Sequence, residues 1–198
     1  MSGKSRKIGW VILILLVLCG IAFWWIKSAG GFSARQQPSR VEAMLARNAR
    51  LMAIPSGAKA LRNPVELTPD VMIEARHHFA DHCAVCHANN GSGDTEMGRN
   101  LYPKAPDMRD SSTQSLTDGE IYFIIHNGIR MSGMPAWGNE SDGDHDHNSW
   151  ALVDFIRRLP QLSQAELQDM VRFNPQSPAE LQEQKEEEDF LNGKPEKK

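Results

Sequence analysis

Residues 83–87 read Cys-Ala-Val-Cys-His, which places two cysteines three positions apart and a histidine directly after the second. At this spacing both thiols project from one face of a single helical turn. The pair matches the two vinyl groups on one edge of a haem, to which thiols add as thioethers. The histidine then lies under the ring, where its imidazole can bind the iron. The motif therefore predicts one covalently bound haem c, attached to Cys83 and Cys86, with His87 as the proximal iron ligand.

Two other uses of the cysteine pair compete with this interpretation. A zinc site needs a second Cys or His pair at ligand spacing, and the sequence contains no second Cys-x-x-Cys. A thioredoxin-like dithiol sits just after a strand at the start of a helix, whereas Cys83 comes late in a helical stretch. The third cysteine, Cys19, lies within a hydrophobic stretch, so we expect no disulfide.

A second loop offers a ligand for the other axial position of the iron. Residues 128–138 read Gly-Ile-Arg-Met-Ser-Gly-Met-Pro-Ala-Trp-Gly. A methionine on a loop bounded by glycine and proline can present its soft thioether to iron without belonging to a helix. Both Met131 and Met134 lie on this loop, so both are candidates.

The motifs together resemble a class I c-type cytochrome over about residues 66–160. They are the Cys-x-x-Cys-His sequence, the Gly-Met-Pro-Ala-Trp segment and a closing helix that carries Trp and Phe. The resemblance implies that Met134, which directly precedes the proline, is the distal iron ligand, and that Met131 is its local rival. The losing methionine would then pack against the edge of the ring.

The resemblance also concerns the orientation of the proximal histidine. A ligating imidazole usually donates its other N–H to a carbonyl, which fixes its tautomer. In the family that carbonyl belongs to a proline on the loop after the motif. Pro106, followed by a polar and an apolar residue, fits the family pattern better, and Pro103 is the alternative. Both prolines are also consistent with ordinary turns.

Helix signals surround the motifs, and no strand pattern is present. Thr68, followed by proline and aspartate, predicts a helix that runs towards the cysteines. A capping box at Thr117 predicts a second helix that ends at Gly128, and a third covers about residues 149–159. We therefore predict an all-α class I cytochrome c fold of three to four helices around one covalently bound haem, with an N-terminal transmembrane helix.

The resemblance implies a close crossing of the first and last helices of the domain. Ala75, Phe79 and Phe155 stand at the matching positions. A core of this size is small, and the haem supplies much of its apolar mass. We expect the protein without haem to be largely unfolded.

The N-terminal segment predicts a membrane anchor. Residues 8–26 are uncharged and rich in Leu, Ile and Val, which is about the ~20-residue length that spans a bilayer. Basic residues precede this run, so residues 1–27 are predicted to be a cytoplasmic stub and a single-pass anchor. Haem attachment of this type is, by the resemblance, completed outside the cytoplasmic membrane of bacteria. We therefore expect the bacterial inner membrane, with the haem domain in the periplasm. A cleaved signal peptide is the alternative.

The net charge of −3 hides an asymmetry between two parts of the chain. Residues 28–65, a basic linker and amphipathic helix, carry six basic groups and one acidic group, a net +5. Residues 66–160, the predicted haem domain, carry fifteen acids and seven bases, a net −8. The acidic domain predicts redox partner proteins with a basic docking surface and argues against nucleic acid. The oligomeric state is not indicated.

The amphipathic helix of the linker begins at Ser39, with a capping box that includes Glu42. Its apolar face is Val41, Met44, Leu45 and Met52, and the residue before Pro55 ends it. We expect this helix, with the extended segment to Pro64, to pack on the haem domain. A helix lying in the plane of the membrane is the alternative.

The remaining segments carry weaker signals. Residues 161–198 are predicted to form a partly helical, charged tail, either a solvated appendage or a docking element. Residues 142–147 alternate carboxylates and imidazoles, a pattern consistent with a solvated loop or a divalent metal site.

The predicted function is single-electron transport between membrane or periplasmic redox partners, through a haem ligated by His87 and Met134, without enzymatic activity of its own. Three alternatives remain open. The chain could be the electron-transfer subunit of a larger dehydrogenase or oxidase. It could be a haem-based sensor or peroxidase if Met134 does not bind the iron. It could be a metal-handling protein if the acidic loop matters more than the haem.

Overall fold

The computed structural model of the chain describes residues 3–28, 33–139, 141 and 143–192. Within this part of the chain the regular elements are helical and no strand occurs, which confirms the predicted all-α fold. The α-helices are α1 Gly3–Ser28, α2 Arg40–Ala53, α3 Ser56–Ala60, α4 Pro69–His78, α5 Ala84–His87, α6 Glu96–Asn100, α7 Ser111–Gln114, α8 Asp118–Asn127, α9 His147–Arg158, α10 Gln164–Val171 and α11 Pro178–Leu191. A π-helical turn covers Phe79–Cys83, and 3₁₀ turns cover Gly143–His145 and Leu159–Gln161.

The predicted N-caps begin the helices of the domain. The Thr68 hydroxyl accepts a hydrogen bond from the Val71 amide at 3.2 Å and so caps α4. Thr117 and Glu120 form a complete capping box at the start of α8, as predicted. Gly128 ends α8 with a φ of +67°, a conformation that a glycine adopts without a Cβ penalty.

The last helix of the predicted domain begins earlier than expected. α9 starts at His147, because the Asp146 carboxylate accepts hydrogen bonds from the amides of Asn148 and Ser149. An aspartate at this position satisfies amides that the first turn of a helix leaves unpaired.

The hydrophobic core lies where α4 and α8 pack on α9. The rings of Phe79 and Phe155 meet with centroids 5.0 Å apart, and Ala75 is buried beside them. On the other side of α9, Trp150 stacks on Tyr122 with ring centroids 4.1 Å apart. The crossing of first and last helices that the resemblance implied is therefore present.

The segment after α2 packs on the domain as expected, but it is not extended throughout, because Ser56–Ala60 form α3. Ile54 is buried, and α3 lies against α8. The Asn63 side chain donates hydrogen bonds to the Trp150 carbonyl at 3.0 Å and to the Asp154 carboxylate at 2.9 Å. This part of the basic segment therefore packs directly on the predicted domain.

α2 itself does not pack in the way we predicted. Ser39 caps it, but the Glu42 carboxylate accepts a hydrogen bond from the Tyr102 phenol instead of completing a capping box. No residue of α2 is buried, and Val41, Met44, Leu45 and Met52 are exposed. We expected α2 to pack on the haem domain, but its contacts with other described parts of the chain are polar and leave this apolar face uncovered.

The core continues past the predicted domain end at residue 160. Met170 of α10 is fully buried in the same core cluster. Arg76 of α4 pairs with Asp169 at 2.8 Å, and the His77 ring stacks on Phe173 with centroids 3.6 Å apart. α10 therefore braces α4, and only α11 has the exposed character predicted for the tail.

α1 has the length and composition of a transmembrane anchor. Residues from Arg6 to Ser28 form an apolar helix. Its most hydrophobic stretch has a mean hydropathy of 2.5 and is not buried against any described part of the chain. The predicted N-terminal apolar helix is therefore present.

Candidate haem site

The cysteine pair lies at the end of a continuous helical path from α4 through the π-helical turn into α5. Phe79 and Ala80, early in the π turn, are buried and fix this path to the core. Cys83 ends the turn and caps α5, and Cys86 follows one helical turn later. The two thiols are close enough to act on each other electrostatically. The structure thus brings both cysteines to one side of the chain.

The surroundings of the two thiols do not favour the thiolate form. Burial raises the pKa of the Cys83 thiol to about 12, and Cys86 adds to the shift. Burial also raises the pKa of Cys86. Reactive dithiols instead depend on a lowered thiol pKa. Because a helix, and not a strand, leads into the motif, the thioredoxin-like alternative loses its structural basis as well.

His87 ends α5 and presents a neutral imidazole. Burial lowers the pKa of His87 to about 4, and a contact with the backbone of Pro106 opposes this shift. The Nδ1 atom is buried without a hydrogen-bond partner in the described part of the chain, and the backbone of Pro106 lies near the ring. A neutral imidazole is the form that binds a metal ion.

The loop after the motif folds back tightly on α5, which explains the position of Pro106. The Gly93 amide donates to the His87 carbonyl at 2.8 Å, and the Thr95 hydroxyl donates to the Val85 carbonyl at 2.8 Å. A Cβ on Gly93, whose φ is +71°, would lie 3.0 Å from the Pro106 carbonyl oxygen. Only glycine allows this approach at no cost. No contact between His87 and Pro103, the other candidate, occurs in the described part of the chain.

The methionine loop begins where α8 ends at Gly128. The Ile129 amide donates to the Met134 carbonyl at 3.0 Å, and the Met134 amide donates to the Ser132 hydroxyl at 3.1 Å. A Cβ on Gly128 would lie 2.8 Å from the Met134 carbonyl oxygen, so this glycine permits the close return of the loop. Backbone contacts of this kind fix the position of Met134 without a helix.

The structure separates the two methionine candidates. Met131 has a φ of +60° and is 94% exposed, so its side chain points into solvent. Met134 is partly buried. Met131 is therefore poorly placed to act as an interior ligand.

The loop that follows the cysteine motif contacts the methionine loop. A Cβ on Gly133 would lie 2.5 Å from the Leu101 side chain, which belongs to the loop after the cysteine motif. Trp137, on the far side of Met134, lies edge-on to the His82 ring with centroids 5.5 Å apart. The candidate ligands His87 and Met134 therefore lie on segments that contact each other at two places.

A polar cluster that the sequence analysis missed supports the methionine loop. The Gly138 amide donates a hydrogen bond at 3.0 Å to the backbone carbonyl of His126, which lies at the end of α8. The His126 ring leaves no room for a Cβ on Gly138. The ring Nδ1 lies 3.2 Å from the Asp146 carboxylate, which also accepts the Ser149 hydroxyl at 2.6 Å. The pattern Asp-x-x-Ser at the start of a helical stretch was the signal available for this cap.

Asp146 carries negative charge in this cluster. Burial alone would raise its pKa, but hydrogen bonds from Ser149 and His126 lower the pKa of Asp146 overall. The phenol of Tyr122 completes the cluster, since it donates to the Gly143 carbonyl at 2.6 Å. The carboxylate is thus committed to capping α9 and holding His126.

The other candidate metal positions do not converge. Asp142 lies outside the described residues, and Asp146 of the same loop is used as the helix cap. No group of three or more His, Cys, Asp or Glu side chains that could hold a metal ion occurs among the residues that the structure describes. His78 and His82 contact each other, with ring centroids 4.8 Å apart, and His82 is half exposed.

The residues present fit a covalently held haem. Two adjacent thiols, a neutral buried imidazole with an unpartnered Nδ1 near a carbonyl, and a partly buried thioether on the facing loop form the donor set. Thiolate, imidazole and thioether are the protein groups by which c-type haems are attached and ligated.

One comparison with known proteins matches the part of the chain that contains this site. Residues 71–156 match the family model described as cytochrome c oxidase, cbb3-type, subunit III. The search of curated proteins found no match to the sequence. Residues 71–156 are a c-type cytochrome domain, consistent with the class I monohaem type, which confirms the resemblance. A domain of this kind binds haem c and transfers electrons.

Proposed function

We propose that this protein is a membrane-anchored monohaem c-type cytochrome that carries single electrons, with its haem held by Cys83, Cys86, His87 and Met134. The observation that carries the proposal is the position of His87, which directly follows two cysteines one helical turn apart at the end of a helical path fixed to the core. Its Nδ1 atom is buried and has no hydrogen-bond partner in the described part of the chain. When bound, the haem supplies the one-electron redox chemistry. The remaining work belongs to the residues of the chain.

Cys83 and Cys86 would hold the haem by two thioether bonds, and the imidazole of His87 would bind its iron. The backbone of Pro106 lies near the His87 ring. A hydrogen bond from the other ring nitrogen to the Pro106 carbonyl would fix the tautomer and raise the donor strength of the ring.

Met134 would supply the second protein ligand of the haem iron. A His and Met ligand set raises the reduction potential relative to two histidines. Two protein ligands would also keep small molecules from binding the iron. Its place on a tightly returned loop supports this role for Met134.

The location follows from the anchor and the chemistry of attachment. We infer that α1 crosses the bacterial inner membrane once and that the haem domain faces the periplasm, with the short basic N-terminus in the cytoplasm. The acidic balance of residues 66–160, a net −8 from fifteen acids and seven bases, favours redox partners with a basic docking surface.

We propose the following division of the chain. Residues 1–27 form the stub and anchor, and residues 28–65 form the basic segment that ends in contact with the domain. The haem domain begins near residue 66. Because Met170 belongs to its core, we extend its end from residue 160 to include α10.

A second candidate function is electron transfer as a subunit of a larger oxidase or dehydrogenase complex. The description of the matching family, subunit III of a cbb3-type cytochrome c oxidase, favours this candidate. The two functions differ in one observable. A subunit co-purifies with a catalytic chain in mild detergent at a constant ratio, whereas a mobile carrier purifies alone.

The optical spectrum of the purified holoprotein tests the proposed ligand set. We expect a c-type reduced spectrum, a weak red methionine-to-iron band in the oxidised state, and no change on addition of carbon monoxide to the reduced protein. A prompt change with carbon monoxide and no methionine band would mean that Met134 leaves the iron open. The sensor or peroxidase alternative would then replace the electron carrier.

A further inference from the structure

α2 turns its apolar side away from the protein. Val41, Leu45 and Met52 share one side of the helix and are 63%, 60% and 79% exposed. Arg50 falls on the opposite side, because a helix has about 3.6 residues per turn, and it is among the least exposed residues of α2. A helix on the surface of a globular domain normally buries its apolar stripe. The apolar stripe of α2 is therefore not covered by the described part of the protein.

The contacts that hold α2 in this orientation are polar. The Tyr102 phenol donates to the Glu42 carboxylate, and the Lys59 ammonium donates to the Leu51 carbonyl at 2.5 Å. Burial and the neighbouring Arg47 lower the pKa of Arg50, while the charge of Glu120 in α8 opposes this shift. The domain therefore binds the polar side of α2 and displays the apolar one.

The chain keeps α2 near the membrane surface. α1 ends at Ser28 and α2 begins at Arg40, so residues 29–39 are the only connection. Eleven residues span at most about 40 Å, since an extended chain advances by about 3.3–3.6 Å per residue. An apolar helix face confined within this distance of a bilayer has lipid within reach.

The charge distribution favours the same orientation. Residues 28–65 carry six basic groups and one acidic group, a net +5, whereas residues 66–160 have a net −8. Anionic headgroups attract basic segments close to a membrane and repel acidic surfaces. The basic segment that contains α2 is therefore the part of the protein that an anionic bilayer would draw towards itself.

We propose that α2 is an interfacial helix, which lies in the plane of an anionic bilayer surface with Val41, Leu45 and Met52 among the lipid chains. This inference rests on the proposed function only in taking α1 as the membrane anchor. Amphipathic helices of this kind bind through apolar burial and attraction to anionic lipid together. A second attachment point beside the anchor would fix the orientation of the haem domain on the membrane.

Tyr102 connects α2 to the candidate haem site. This residue bonds to α2, and its neighbour Leu101 packs against Gly133 of the methionine loop. With α2 on the bilayer surface, the two loops that form this edge of the site are held at a fixed distance from the membrane. Partners embedded in the same membrane would meet that edge in one orientation.

Spin-label accessibility in full-length holoprotein tests the proposal. In a Cys19→Ser background, a nitroxide is attached at Leu45→Cys on the apolar side or at Arg47→Cys, the matched control on the opposite side of the same helix. The protein is reconstituted into vesicles of phosphatidylcholine and phosphatidylglycerol, and the haem is reduced so that its iron is diamagnetic. Collisions with oxygen, which concentrates in lipid, and with a water-soluble nickel chelate are then measured.

We expect the label at position 45 to collide with oxygen severalfold more, and with nickel severalfold less, than the label at position 47. Equal nickel accessibility at both positions would place α2 in water and overturn the proposal. Protection of position 45 from both reagents would overturn it too, because the face would then be covered by protein. Vesicles without phosphatidylglycerol should increase nickel access at position 45, and an unchanged profile would overturn the requirement for anionic lipid.

A label on the native Cys19 separates this proposal from the anchor on which it rests. Cys19 lies within α1, and we expect its label to be accessible to oxygen and protected from nickel. Exposure of Cys19 to nickel would contradict the anchor. A lipid-exposed Cys19 together with a water-exposed position 45 would contradict only the interfacial role of α2.

Discussion

The two candidate iron ligands are held by different kinds of structure. His87 ends a helical path that begins in α4, and α4 packs on α9 and α10 in the core. Met134 lies on a loop whose position depends on a few backbone hydrogen bonds and on glycines at close contacts. The histidine side therefore shares the stability of the whole domain, whereas the methionine side depends on local contacts. We expect the methionine side to open first under stress, because regions with little buried apolar contact open at lower free energy.

The largest expected effect concerns the histidine side. Cys83→Ala/Cys86→Ala protein should carry no covalent haem and should be largely unfolded, because the haem supplies much of the apolar mass of a small core. Haem staining after denaturing electrophoresis and near-ultraviolet circular dichroism measure these two outcomes. Cys19→Ala is the matched control and should keep both haem and fold. A native-like dichroism spectrum of the double variant would show that the core forms without haem.

The next effect distinguishes the two sides directly. Met134→Ala should lose the methionine-to-iron band, bind carbon monoxide when reduced, and lower the reduction potential by a fraction of the ~0.8 V range that axial ligands span. Met131→Ala should change none of these, since Met131 is 94% exposed. Optical spectra and potentiometric titration of both variants provide the measurement. An unchanged spectrum of Met134→Ala would remove this residue from the iron.

A smaller effect is expected at the support of the methionine loop. Asp146→Ala removes the cap of α9 and leaves His126 and Ser149 without their carboxylate partner, which should cost about 1–3 kcal/mol. The methionine band should then disappear at a lower temperature than in the wild-type protein. Asp146→Asn retains a cap and should lose less. Equal thermal loss of the band in all three proteins would mean that this cluster does not position the loop.

The smallest effect concerns acid stability on the histidine side. Hydrogen bonds from the Ser163 backbone and hydroxyl, with a further contribution from Arg158, lower the pKa of Glu166 from 4.5 to about 2. A carboxyl group with a lowered pKa stabilises the folded protein above the unfolded value, and this contribution is lost as the pH falls from 4.5 to about 2.

Glu166→Gln should therefore be less stable than the wild-type protein by about 1 kcal/mol at neutral pH, and the difference should shrink as the pH falls through that window. Denaturant unfolding of both holoproteins between neutral and acidic pH measures the difference. Glu180→Gln, in the exposed capping box of α11, is the matched control and should have little effect on domain stability. A pH-independent difference would exclude Glu166 ionisation as its cause.

Features written in short stretches of sequence could be predicted without the structure. The Cys-x-x-Cys-His spacing, the cap at Thr68 and the capping box at Thr117 depend on neighbours within one helical turn, and the structure places helices where they indicate. The uncharged run within α1 is equally local. Positions fixed by local chemistry of this kind do not need the rest of the fold to be known.

Other features required the tertiary structure, because they join residues far apart in sequence. The contact of Pro106 with His87 depends on the return of a glycine-containing loop, and the role of Asp146 depends on His126 from another helix. Within the methionine loop, the proline after Met134 favoured this residue over Met131 only through the family resemblance, whereas the 94% exposure of Met131 is a property of the fold.

The direction in which α2 faces shows the same division. The sequence by itself determined that α2 is an amphipathic helix after a membrane anchor, because periodicity and hydropathy are properties of consecutive residues. It did not determine which side meets the domain. Tyr102 and Lys59 fix that side, because their side chains donate hydrogen bonds to Glu42 and to the Leu51 carbonyl of α2 and come from other parts of the chain. Local interactions specify elements, and the pairing of distant surfaces specifies what each element faces.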